Sequence, residues 1–390
     1  MMIKYVKKVI IKPYILVGSI IKSLQYSLIH SLQTRNKKSR TINNISSVLF
    51  ITNDNGGGTR KFERNFIGDK KVTVLRRIGF AEGHDIIYEL YNNDDKQSIF
   101  LYKEELSIVF KRSYEIIYVN SLVNYTKIKW FLDELITYKN IHKKCKMIYF
   151  IHDYHAVCPR YMLFSNGHSC NMNCSKEQCN YRYTKTKIDI SNWRCMWGRF
   201  LENIDEIRCF SYSSKKVIQE CYESIQEDKI TVEPHDTSYI DFTPIIIDNS
   251  RPMHIGIIGD CRTEAKGHNV VSELINRYGD IIPITVIGPW YISDKKKKKK
   301  VKYYGPYEQE KLKSIISDEK ITIIVFPSLW METFSYLVSE LIALKLPIIG
   351  FNIGAQAEKL KAYEEGILFE KPIMLYEYLN EIIMKETDKK

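Results

Sequence analysis

The stretch FPSLWMETFSYLVSELI, residues 326–342, decides how this 390-residue chain is read. It opens on the last residue of the apolar run ITIIVF, residues 321–326, which reads as a buried strand. A short polar loop follows. Apolar residues at helical spacing then predict a helix over residues 333–344. The first turn of a helix leaves N–H groups without intrahelical partners, and its dipole favours an anion there. With hydroxyls from Thr333 and Ser335, and Phe334 between them, such a turn suits a diphosphate. Glu340, on the helix, can accept two hydrogen bonds from a ribose diol. Glu332, at the loop tip, can reach the hydroxyls of a sugar. Taken alone, the pair also fits an acidic helix start, with Glu332 complementing the dipole and Glu340 solvated.

Outward from this stretch, strand and helix patterns alternate. Upstream, strands are expected over residues 47–52, 72–75, 86–90, 99–102, 116–119, 147–151, 207–212 and 230–233. Most are continuous apolar runs, as in a parallel sheet covered on both faces. Residues 234–252 hold prolines and aspartates without a period and read as a linker. The alternation then restarts, with strands over 254–258, 284–287, 321–326 and 348–351 and helices between them. The expected fold is α/β, with two Rossmann-like doubly wound domains facing a cleft. The expected organisation is a basic amphipathic leader over 1–45, a first domain over 46–235, a linker over 236–252, a second domain over 253–372 and a C-terminal helix over 373–390. Ligands in such folds sit at the carboxyl ends of the strands.

The charge of +12 is local. No Asp or Glu precedes Asp54, and a second block is the lysine run 295–300. Without these two blocks the chain is close to neutral, which argues against a nucleic-acid binder. The apolar core of the leader, residues 13–21, is far shorter than the roughly 20 residues of a spanning helix. Its apolar positions recur at helical spacing. The leader reads either as a helix on an anionic membrane surface or as one packed on the protein body. Nine cysteines in a chain of this length, without a secretory signal, point to reduced thiols in the cytoplasm. That location allows peripheral contact with the inner face of the plasma membrane.

The 326–342 stretch resembles the Glu-x7-Glu region of retaining family 4 glycosyltransferases of the GT-B fold. It is especially similar to a bacterial cell-surface polysaccharide subgroup with the pattern P-S-x-W-P-E-T-[FY]-S-Y-x-x-S-E-x-x-x-x-x-L-P. Glu332 and Glu340 fall on its two glutamates, Met331 stands in place of the usual Pro, and Lys345 in place of the usual Gly. The segment FNIGAQAE, residues 351–358, continues the likeness as F-x-x-G-A-x-A-E. In GIIGDCRTEAKG, residues 256–267, Lys266-Gly267 matches the family's Lys-Gly pair. Many members carry an Arg directly after the preceding Gly; here Asp260 stands there and Arg262 lies further on.

Two segments of the first half continue the resemblance. Gly56, Gly57 and Gly58 follow the first strand, where backbone can approach a ligand closely. They resemble the G-G-x loop of GT-B enzymes. HDYHAVCPR, residues 152–160, is similar to the subgroup's H-D-[FY]-x-x-[IV]-C-P-R. His152 is placed to hydrogen-bond the donor sugar, and Asp153 to orient the acceptor or a loop. Cys158, Cys170, Cys174 and Cys179 cluster in one loop. They are either small buried or free thiols or ligands of a structural zinc, with His155 and His168 as alternative ligands.

The resemblance implies transfer of a sugar from a nucleoside-diphosphate sugar to a saccharide or lipid-linked acceptor, with retention and without a catalytic metal. His152, Lys266 and Glu332 would be the catalytic residues. Gly56, Gly57, Gly58, Asp153, Arg262, Lys266, Glu332, Thr333, Phe334, Ser335 and Glu340 would bind the donor. Two other classes fit less of the sequence. One is a non-catalytic sugar-nucleotide or glycan-binding relative; the other is a basic protein that binds membrane or nucleic acid.

Overall fold

A computed structural model describes residue 31 and residues 45–387, except 55, 79–86, 95–97, 126, 171, 173, 175–188, 242, 247–250 and 291–297. The leader helix expected within 1–45, Cys179 and lysines 295–297 lie outside the described residues. The chain forms two compact units. One comprises Met1–Val157, Ser191–Cys209 and Gln219–Thr231; the other comprises Cys158–Ile190, Phe210–Ile218 and Val232–Lys390.

The first sheet draws on β1 (Val48–Asn53), β2 (Thr73–Ile78), β3 (Ile87–Asn92), β4 (Ser98–Tyr102), β5 (Ile116–Val119) and β6 (Lys146–Phe150). A small hairpin, β7 (Phe164–Ser165) and β8 (His168–Ser169), precedes its last strands, β9 (Glu206–Cys209) and β10 (Ile230–Val232). The longer helices are α1 (Gly58–Ile67), α2 (Ile128–Ile141), α3 (Ile190–Asn203) and α4 (Tyr212–Cys221). The sheet order is β10-β9-β6-β5-β1-β2-β3-β4. Leu49, Phe50 and Ile51 of the central strand β1 are fully buried, which is why that strand reads as unbroken apolar sequence. Phe62 and Phe66 of α1 pack on this face against Phe50, Tyr118 and Phe150. The run from β9 to β2 is parallel, but β2, β3 and β4 are antiparallel. The antiparallel pair β3 and β4 thus extends one edge of the parallel sheet that the apolar runs suggest. The reason is connection length: only residues 93–97 join β3 to β4, whereas a parallel crossover needs about a dozen or more.

The second sheet is wholly parallel, with order β13-β12-β11-β14-β15-β16. Its strands are β11 (Ile255–Ile258), β12 (Ile284–Ile287), β13 (Val301–Gly305), β14 (Ile323–Val325), β15 (Ile348–Phe351) and β16 (Gly366–Phe369). Its helices are α5 (His268–Tyr278), α6 (Leu312–Asp318), α7 (Tyr336–Ala343), α8 (Gly354–Lys361) and α9 (Pro372–Thr387). In chain order this is the doubly wound arrangement 3-2-1-4-5-6, so the winding reverses between β11 and β14. Two apolar layers cover the sheet. One holds Ile257, Leu274, Val325 and Leu379, and the other Ile258, Ile316, Ile324 and Leu341. Phe164, from the cysteine-rich segment, joins the first layer.

Helix α7 starts at Tyr336, three residues later than the pattern predicts, because Ser335 sits in the left-handed region with φ 62°. Thr333, Phe334 and Ser335 therefore form a non-helical entry to the helix.

Candidate active site

Lys266 leaves the loop after β11, and Glu332 leaves the loop after β14. These are the loops that flank the reversal of winding in the second unit. The Lys266 Nζ donates to Glu332 Oε1 at 2.7 Å and lies 4.5 Å from the centre of the Trp330 ring. Gly267 makes this approach possible. Its φ is +87°, and a Cβ there would fall 2.2 Å from the Pro327 carbonyl oxygen, so only glycine lets the two loops touch.

Glu332 is held from several sides. Its backbone N–H donates to Gln356 Oε1, and its carbonyl accepts from the Ala355 N–H. The Gln356 Nε2 donates in turn to the Trp330 carbonyl at 2.7 Å. Gly354, at φ +62°, brings the start of α8 against the same backbone. Burial is the largest influence and opposes the charge of Glu332, but Lys266, together with the hydroxyls of Ser335 and Ser328, outweighs it and holds the carboxyl below its ordinary pKa. The site thus keeps an ionised glutamate beside a cation at the end of a parallel sheet.

Thr333, Phe334 and Ser335 continue from Glu332 and are all buried. Phe334 packs on His235, with ring centres 4.3 Å apart, and His235 also meets Phe210 and Tyr336. His235 is the last residue of the expected first domain, and its sequence neighbours give no hint of this contact. Glu340, on α7, is buried and accepts from the Tyr239 hydroxyl at 3.1 Å. It is not solvated, as an ordinary exposed helix glutamate would be.

Arg262 stands apart from Lys266. Its Nε and Nη2 donate to the two carboxylate oxygens of Asp260 at 2.7 and 2.5 Å. It also lines a cavity of about 260 Å³ at the carboxyl ends of β11, β12 and β13, with Gly288, Trp290, Tyr303 and Gly305. Trp290 and Tyr303 stack with rings 5.4 Å apart and 5° from parallel. The sequence gives no sign of this pair, because the two residues meet only through the pairing of β12 with β13.

The remaining candidates lie in the first unit. Gly56, Gly57 and Gly58 are exposed at the end of β1, where Gly57 (φ +73°) caps α1. His152 is buried with its ring 4.6 Å from Phe62, and burial lowers its pKa to about 3, leaving a neutral imidazole. Asp153 is buried too. Its Oδ2 accepts from Ser121 at 2.8 Å and its Oδ1 from the His155 N–H at 2.9 Å. Burial raises its pKa to about 6 despite these two bonds. Asn53 Nδ2 donates to the Ser121 hydroxyl and carbonyl, so a chain of hydrogen bonds runs from the end of β1 through the loop after β5 to that after β6. Asp153 thereby ties the loop after β6 to the loop after β5. Asn53 and Ser121, which hold it, have no motif that marks them in the sequence.

Cys158, Cys170 and Cys174 are partly buried, and among the described residues no three His, Cys, Asp or Glu side chains come together as a metal site. Nor is any described helix long and apolar enough to cross a membrane.

Residues 262–390, which carry Lys266, Glu332 and Glu340, match the family model described as Glycosyl transferases group 1. The chain is a glycosyltransferase. No curated protein matches it in sequence. Solved structures match it in fold. The crystal structure of Anabaena Alr3699/HepE in complex with UDP aligns with a TM-score of 0.55 at 11% identity, over 86% of this chain and 90% of that one. The lipopolysaccharide outer core galactosyltransferase WaaB, in its apo form, aligns with a TM-score of 0.54 at 13% identity, over 87% and 90%. A glycosyltransferase from Rickettsia africae ESF-5 aligns at 0.50 and 15% identity, over 86% and 88%. These likenesses are of fold, and that fold is GT-B. The glycosyltransferase thus has its Lys266–Glu332 pair where α/β sheets of this kind receive ligands.

Proposed function

We propose that this glycosyltransferase takes its sugar from a nucleoside-diphosphate sugar and passes it, with retention, to a saccharide or lipid-linked saccharide during synthesis of a cell-surface polysaccharide. The observation that carries the reading is the Lys266–Glu332 pair, set beside the non-helical entry to α7 at the winding reversal. The diphosphate would lie against the N–H groups that open α7, with Thr333 and Ser335 adding hydroxyl donors. Lys266 is within reach of both Glu332 and that position. As the leaving diphosphate gains charge, Lys266 stabilises it, and a preorganised cation of this kind gives the largest part of such catalysis. No catalytic metal is needed in this scheme. Glu332 would hold the transferred sugar and Glu340 the ribose.

The aromatic cavity beside Arg262 suits the nucleoside end of the same donor: it is lined by Trp290 and Tyr303 and lies next to the Lys266 loop. In the first unit, neutral His152 would hydrogen-bond the sugar, Asp153 would fix the loop that presents it, and Gly56 to Gly58 would line the approach. The fold match to a structure in complex with UDP favours a uridine donor among the alternatives. The basic leader, residues 1–45, is the segment that would rest on the inner face of a membrane.

The test is release of free nucleoside diphosphate from a panel of uridine, guanosine and adenosine diphosphate sugars, with the product's anomeric configuration read by NMR. Release from at least one donor, lost in Lys266→Ala and Glu332→Ala, is expected. Wild-type turnover in both variants would sink the site; an inverted product would remove retention.

A further inference from the structure

Lys359 is not part of any motif, and its surroundings are unlike those of an ordinary helix lysine. It lies near the end of α8, the helix whose first turn is bonded to the Glu332 backbone. One turn later its ammonium crosses to the start of α7. The Nζ donates to the Ser335 carbonyl at 3.0 Å and to the Ser339 hydroxyl at 2.6 Å, and sits 3.3 Å from the centre of the Phe334 ring. It touches the donor loop at its strained point, since Ser335 is a non-glycine residue at φ 62° and ψ 86°. Such a backbone costs about 1–3 kcal/mol and persists only where its neighbours hold it. The ammonium supplies that hold.

We propose that Lys359 is a positioning residue of the donor site: it fixes Ser335 so that the N–H groups opening α7 face a diphosphate. The inference rests on the nucleoside-diphosphate reading above.

The groups around the ammonium set its charge. Glu332 from the donor loop, Glu340 from α7 and Glu358 from α8 all favour its protonated form. Lys266 already neutralises Glu332, and Tyr239 donates to Glu340. Glu358 is turned to the backbone N–H groups of Tyr212 and Ser213. His235 and Tyr336 also pack on Phe334. No carboxylate among the described residues forms an ion pair with Lys359. Burial therefore wins, lowering its pKa to about 7. A diphosphate at the start of α7 adds negative charge nearby and draws the proton back. Donor binding above neutral pH then takes up a proton, and by linkage tightens as pH falls toward 7.

The experiment is calorimetric titration of uridine, guanosine and adenosine diphosphate at pH 7.5 in Tris and in Pipes, whose ionisation heats differ. The wild type should bind at least one with net uptake of about half a proton. Lys359→Met should lose that uptake and bind roughly tenfold more weakly, as expected for about 1.4 kcal/mol. Lys359→Arg, always charged, should restore the affinity without the uptake. Lys359→Met binding like the wild type, or Lys359→Arg still taking up the proton, overturns the proposal, and the second readout serves even if the Met variant does not fold. If the wild type binds no diphosphate, the donor reading falls and takes this inference with it.

Discussion

The two units join the loops at the carboxyl ends of their sheets in different ways. In the second unit the join is ionic: Lys266 meets Glu332, and the lysine side chain is still 31% exposed. In the first unit it is a hydrogen-bonded chain, Asn53 to Ser121 to Asp153, in which every member is buried. The ionic join can be rearranged, because a partly exposed lysine has three donors and can keep its carboxylate while it reaches an incoming phosphate. The first-unit chain cannot be opened so cheaply, since a buried polar group that loses its partner costs about 1–3 kcal/mol. One unit is built to admit a new partner, the other to keep loops still.

The largest effect should come from breaking the ionic join. Lys266→Ala is expected to slow transfer by about 10²–10³-fold, in line with loss of one preorganised group at a developing charge. Steady-state release of nucleoside diphosphate measures it, and circular dichroism should find the variant folded.

Next is a pH effect in the first unit. Burial lowers His152 and His155 from 6.5 to about 3, so between these values the unfolded chain binds two more protons at these sites than the native one. Their contribution to stability is present above 6.5 and is lost as pH falls. Asp153 acts in the opposite direction. Its pKa is raised from 3.8 to about 6, so between these values the native chain holds a proton that the unfolded chain has released, and this contribution is lost as pH rises. In Asp153→Asn the opposition is gone. Urea unfolding across pH 4 to 6 should then show stability rising more steeply with pH than in the wild type, by about 1.4 kcal/mol per pH unit. An unchanged slope would mean that Asp153 does not titrate in this range.

Ser121→Ala removes the middle of the first-unit chain. A loss of about 1–3 kcal/mol in unfolding free energy is expected, with the first unit affected and nucleoside diphosphate affinity unchanged. The smallest effect belongs to Arg262→Ala. The Arg262 side chain is 44% exposed and already paired with Asp260, so transfer should fall by less than about fivefold. A loss as large as that in Lys266→Ala would move the leaving-group role to Arg262.

Most of the buried strands were legible in the sequence because they are short apolar runs; β2 is an exception, buried although it carries Arg76 and Arg77. β13 was not legible, since V-K-Y-Y-G has no apolar run and the strand lies exposed at the sheet edge. The antiparallel β2–β4 set was readable only from connection length. At the site, Glu332, Glu340 and Lys266 stand in a motif and could be named. The Lys266–Glu332 contact itself could not, as it spans 66 positions and depends on strand order. Lys359, His235 and the Trp290–Tyr303 stack escape for the same reason: each owes its surroundings to elements that meet only in the folded chain. The late start of α7 was hidden too, because nothing in T-F-S-Y signals a left-handed serine.

The close passage of Gly267 beneath Pro327 bears on any attempt to re-engineer this protein. The two loops share one surface with no room for a methyl group between them, so they behave as a single inheritable part. A chimaera that imports the segment around Glu332 from another enzyme, but leaves the native segment around Lys266, would set two unmatched backbones against each other at that point. Exchanges of donor preference should therefore be made by transplanting both loops together.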